Sequence, residues 1–150
     1  CLRSSTYVED AKQGCAIMTA KIKKLNPPSL PDAGPLGYSQ VVTATPGQMV
    51  FISGQVAVST DGTPVPPDLA GQLTIVLRNL VNALEAVGAA PNNVVSLRIY
   101  VVDLEPEWIP SLMAPLAALF EGQAPALTGI GVSALASSEF KLEIDAVAVI

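Results

Sequence analysis

Residues 69–87, LAGQLTIVLRNLVNALEAV, place apolar side chains at 69, 73, 76, 77, 80, 84 and 87. That spacing predicts a helix with one buried stripe. Asp68 stands where an N-cap belongs and Gly88 where a helix stops. The stretch NNVVSLRIYVVDL changes period: Leu97, Ile99 and Val101 point one way, Ser96, Arg98, Tyr100 and Val102 the other. Alternation of this kind predicts a strand. YSQVVTAT and MVFISGQVAV, separated by PGQ, are rich in β-branched residues and predict a hairpin. A second helix is expected over EWIPSLMAPLAALF, where Pro110 suits the first turn and Pro115 predicts a kink or a split. TGIGVSAL and KLEIDAVAVI read as two further strands. The resulting order, β-β-α-β-α-β-β, predicts an α+β fold with two helices on one face of a mixed sheet. The other face of the strand at 94–102 is half-polar, which suits a partner subunit or an enclosed cavity better than open water. A homo-oligomer is therefore expected.

Proline and glycine punctuate the rest. NPPSLPDAGPLG at 26–37 predicts an extended connector, and STDGTPVPP a turn-rich loop. Residues 1–17 look unlike the remainder of the chain, and Met18 before TAKIKKL reads as a start. The expected division is an extension or expression remnant at 1–17 and a single domain at 18–150; an upstream start or a lipoprotein N-terminus at Cys1 are the alternatives.

Composition narrows the chemistry. Half of the 150 residues are hydrophobic and 14% are charged, so a folded core is expected. Residues 1–24 carry a balance of +3, whereas residues 25–150 set Arg78, Arg98 and Lys141 against eleven acids, a balance of −8. Such a surface repels phosphate backbones, and nucleic-acid binding is not expected. Lys21, Lys23 and Lys24 read as a solvated edge segment. Apolar runs are broken before they reach bilayer length, so no membrane partner is expected. Only Cys1 and Cys15 carry thiols, which makes a reducing, cytoplasmic setting the simpler reading. Histidine is absent, which removes the commonest general base and metal ligand. No metal or cofactor is expected.

The remaining chemistry gathers on a few residues. Glu143 shares a strand face with Asp145, and paired carboxylates there suit either a proton donor or a structural cluster. Arg98 supplies either a ligand anchor or an ion pair with Glu143 or Asp145, because an unpaired buried charge is costly. Gly129 and Gly131 in TGIGV suggest close backbone approach or a bulge.

GYSQ at 37–40, VFISGQ at 50–55, NLVNALEAVGAAPNNVVSLRIYVVDL at 79–104, PAL at 125–127 and LEIDAVAV at 142–149 together resemble the YjgF/RidA (reactive intermediate deaminase) family. The resemblance runs from about residue 21 to the C-terminus. It implies a chorismate-mutase-like fold, a homotrimer, and three small-molecule clefts between subunits. Members of known chemistry hydrolyse enamines and imines, such as 2-aminoacrylate, to keto acids and ammonia. By the resemblance, Tyr38 matches the cleft tyrosine, Ser53 and Gly54 the backbone segment, and Glu143 the glutamate that orients water. The arginine of the family's PAR motif is missing, and Leu127 stands in its place.

Leucine cannot form the bidentate pair that anchors a carboxylate. Three readings are open. The first is a trimer binding an uncharged metabolite, with Thr128 available to donate to it and Glu143 hydrolysing an imine-like bond. The second is an authentic 2-iminobutanoate/2-iminopropanoate deaminase in which Arg98 replaces the lost anchor. The third is a non-catalytic binding or interaction module. An open cleft holding Arg98 near Tyr38 favours the second. An open cleft lined by Leu127 without a cation favours the first, and a cleft filled by side chains the third. Members of the family also carry labels such as endoribonuclease; the −8 balance and the missing histidine argue against RNA cleavage here.

Overall fold

The computed structural model describes residues 20–150. The expectations for residues 1–17, Met18, Cys1 and Cys15 lie outside these. Among the described residues, six strands and two α-helices run in the order β1 (Ile22–Leu25), β2 (Val41–Ala44), β3 (Met49–Gln55), α1 (Leu69–Glu85), β4 (Val94–Val102), α2 (Ile109–Phe120), β5 (Ala126–Val132) and β6 (Leu142–Val149).

Helix α1 begins where Asp68 accepts a hydrogen bond from the Gly71 amide at 2.7 Å. Its end is set by Gly88, whose φ of +72° lets the Ala89 amide reach the Leu84 carbonyl. Leu73, Val76, Leu80 and Leu84 are buried along its stripe, while Val87 lies beyond the helix and is exposed. Pro115 interrupts α2 without dividing it: one helix runs from Ile109 to Phe120, with a short 3-10 turn, Pro106–Trp108, before it.

The main sheet has the order β3-β6-β4-β5. β6 is antiparallel to both neighbours, and β4 and β5 are parallel, so the sheet is mixed. Leu97, Ile99 and Val101 of β4 pair with Ala146, Ile144 and Leu142 of β6, and all six are buried. Against that face pack Leu80 and Leu84 of α1 and Leu112, Leu116 and Phe120 of α2, forming one core. Burying side chains of this size stabilises the fold by roughly 2 kcal/mol each. The opposite face carries Arg98, Tyr100, Glu143 and Asp145 and, among the described residues, has no helix over it.

The expected hairpin between residues 38–45 and 49–58 does not form. β2 pairs instead with β1, from Ile22↔Ala44 to Leu25↔Val41, and β3 pairs with β6. The turn at Pro46–Gly47 redirects the chain alongside its own C-terminus, where Gln48 and Ile150 exchange backbone hydrogen bonds at 2.8 and 3.0 Å. Gly47 permits this approach, since a Cβ there would lie 2.6 Å from the Ile150 carbonyl.

Candidate functional site

Tyr38 is held beside β5 by its neighbour. The Ser39 amide donates to the Pro125 carbonyl at 3.0 Å, its buried hydroxyl donates to the Ala124 carbonyl at 2.7 Å, and Ser39 bridges Ala126 in parallel. Gly37 ends the preceding turn at φ +79°, with Met113 and Ala117 of α2 against it. This arrangement leaves a cleft of about 660 Å³ between residues 35–38, α2 and the helix-side face of the sheet. Its volume suits a small organic ligand.

Leu127 lies in that cleft. It is in register with Leu97, so it faces the helices and joins Tyr38, Ile99 and Met113 in the lining. Gly129, two residues on, lines the same wall, and a Cβ there would meet nothing within 4 Å. β5 holds its register with β4 throughout, so the glycines mark open space and close approach, not a bulge. Among the described residues, no charged residue lines the cleft, and Tyr38 is the one residue in its lining with a polar side chain.

Arg98 is elsewhere. On the open face of the sheet its Nε donates to Asp145 Oδ1 at 2.9 Å, and Tyr100 donates its hydroxyl to Asp145 Oδ2 at 3.0 Å. The hydrogen bond to Asp145, then its charge, raises the Arg98 pKa. Partial desolvation, followed by the bond to Asp145, raises that of Tyr100. Thr128 is exposed, in register with Arg98 and on the same face.

Glu143 also lies on the open face, half-buried and against Gly54. Ser53 is exposed beside it, its carbonyl accepting from Gln55 Nε2 at 3.0 Å. Within one chain, then, the candidate residues fall into two groups. Tyr38 and Leu127 share the apolar cleft; Ser53, Gly54 and Glu143 share one edge of the open face, with Arg98 and Thr128 further across it.

A second, smaller hollow of about 250 Å³ is lined by Ile22, Lys24, Asn92, Asn93 and Gln123. Asn93 is committed, donating to the Val149 carbonyl and accepting from the Ala90 amide. Lys24 donates to the Gln123 carbonyl, and its ammonium lies 5.9 Å from the centre of the Phe120 ring. Burial lowers its pKa. Of the three lysines read as a solvated edge, this one is drawn inward, a packing no charge run discloses. Among the described residues, no three or more His, Cys, Asp or Glu side chains gather to hold a metal ion, and no helix is long and apolar enough to cross a membrane.

Residues 32–150 match the family model described as endoribonuclease L-PSP. The chain belongs to the YjgF/Rid family. Among solved structures, the Rid-family protein YyfB of Yersinia pestis, described as of unknown function, is 38% identical. The similarity covers 86% of this chain and 98% of that one, with a TM-score of 0.82. The YjgF gene product of Escherichia coli is 31% identical over 69% of this chain and 81% of its own, with a TM-score of 0.60. The RutC family protein YjgH of Escherichia coli K12 is 30% identical over 71% of this chain and 79% of its own. The α+β fold expected of a Rid chain, with its mixed sheet and two helices, is the one observed.

Proposed function

We propose that this Rid chain forms a homotrimer and binds a small, uncharged metabolite in the cleft walled by Tyr38 and Leu127. The observation that carries the reading is a lining that holds no cation among the described residues, at the position where the PAR arginine is absent. A 2-imino acid brings a carboxylate, and a carboxylate moved from water into this lining would find no positive partner. The alternative in which Arg98 replaces the missing anchor is disfavoured: Arg98 does not line the cleft and is engaged by Asp145.

The chemistry of such a site is hydrolysis of a C=N bond. Water adds its oxygen to carbon and its proton to nitrogen, and the carbinolamine then breaks its C–N bond to give a carbonyl compound and an amine. Glu143 is the group proposed to orient that water. It faces away from the cleft of its own chain, so in this reading it serves the cleft of a neighbouring subunit, across the open sheet face.

The test is ammonia release from freshly generated 2-aminoacrylate, comparing the native protein with Leu127→Arg. A restored bidentate pair is worth about 3 kcal/mol, or roughly a hundredfold. The native protein is expected to be inert and the variant active by that margin. Native activity equal to that of the variant would move the anchor to another group and sink the reading.

A further inference from the structure

We infer that Gly54 is a positioning residue for Glu143: the bulge at Ser53–Gly54 and the missing side chain form a seat that presents the Glu143 carboxylate as a free acceptor for water or for a ligand N–H. The inference rests on the reading of Glu143 as the carboxylate of the Rid site.

Three observations carry it. The first is the bulge itself. β3 pairs regularly with β6 up to Ile52↔Ala146, and the next partners are Gln55↔Ile144, so Ser53 and Gly54 together stand opposite Asp145 alone. Two residues against one is a β-bulge, a feature that re-aims the groups around it.

The second is the space at Gly54. A Cβ there would fall 1.7 Å from Oε1 of Glu143, 2.4 Å from its Cδ and 2.8 Å from its Cγ. The three nearest atoms belong to one side chain. Gly54 is not among the residues of positive φ, so no left-handed backbone demands a glycine there. What position 54 requires is room, and Glu143 takes it.

The third is the contrast between two carboxylates on one face. Asp145 is engaged by Arg98 and Tyr100. Among the described residues, the Glu143 side chain forms no hydrogen bond or ion pair. A half-buried carboxylate pressed against strand backbone, with no internal donor, is left to accept from outside.

The atoms that a new Cβ would meet are the far end of a flexible side chain. Gly54→Ala should therefore displace the carboxylate and leave the strand in place. The decisive experiment is carboxyl ¹³C NMR of the full-length native protein and Gly54→Ala, alongside thermal unfolding. The Glu143 Cδ resonance is expected to move in Gly54→Ala while that of Asp145 Cγ stays, with a melting point lowered by less than about 3 °C. An unmoved Glu143 resonance overturns the inference, as does displacement of both carboxyls together, which would mark a general collapse of the strand.

A second arm uses the Leu127→Arg background. There Gly54→Ala and Glu143→Ala should each lower kcat by roughly a hundredfold, and the double variant by no more than either alone. Additive losses overturn the seat. Absence of turnover in Leu127→Arg strikes the proposed function alone, because the NMR arm still decides whether Gly54 holds Glu143.

Discussion

Gln72 carries a primary amide into the core at full burial. Its Nε2 donates to the carbonyls of Pro66 and Glu139 and its Oε1 accepts from the Lys141 amide, each at 2.8 Å. One side chain thus ties the approach to α1 to the entry of β6, the strand that bears Glu143. Replacing it with leucine leaves two carbonyls and an amide without partners. Gln72→Leu should cost about 3 kcal/mol or more, read as a lowered midpoint of urea unfolding. Nothing in the sequence pointed to this residue, because the helical stripe is drawn by apolar positions and a glutamine beside it reads as surface. Leu127 was legible for the opposite reason: an apolar residue where the PAR motif places a charge stands out without coordinates. The face it would take was not legible, since the strand was expected to start at 128 and the parallel register with Leu97 is a tertiary fact. Gly54 and Glu143 are harder still. Their contact depends on a bulge, and one extra residue changes which side chains meet across a ladder.

The elements were read best where a period ran long. Helix α1 and strand β4 each repeat over several turns or pleats, and both lie where the pattern put them. The four residues of β1 are too few to show a period, and their lysines read as charge. The hairpin failed because β-rich segments flanking a Pro-Gly turn do not declare their partners; β2 and β3 belong to different sheets. What alternation did give was the open face of β4, and there it supports a prediction about pH. Tyr100 donates to Asp145 only while protonated, and its pKa lies above the ordinary value of 10.0. The folded state therefore holds the proton more tightly than the unfolded chain. That stabilisation is intact below pH 10 and declines as the pH rises through the folded-state value. Urea midpoints followed from pH 8 to 11 should fall above about 10, and Tyr100→Phe should flatten the decline. A decline of the same depth in Tyr100→Phe would assign it to other groups.

At the scale of the molecule, the two faces of the sheet pose different problems. One is covered by α1 and α2; the other bears Phe51 at 73% exposure and Met49 at 56%, with Val147 directly across from Phe51. A phenylalanine so placed is stabilised by cover, and a patch of this kind marks an interaction surface. The expected cover is a second and third copy of the chain, which would also carry each Glu143 toward a cleft that its own subunit cannot offer it. Phe51 takes no part in the internal core, so its substitution need not unfold the subunit. Phe51→Glu places a charge where the proposed interface excludes water, at a cost of several kcal/mol per buried ion. Repeated at each copy, that cost opposes association. Sedimentation velocity should show the native protein at the mass of a trimer and Phe51→Glu as a folded monomer with unchanged far-UV circular dichroism. The same variant should lose ammonia release in the Leu127→Arg background, because monomers separate Glu143 from the cleft it is proposed to serve. A folded monomer that retained turnover would place the hydrolytic group within a single chain and break the link between assembly and chemistry.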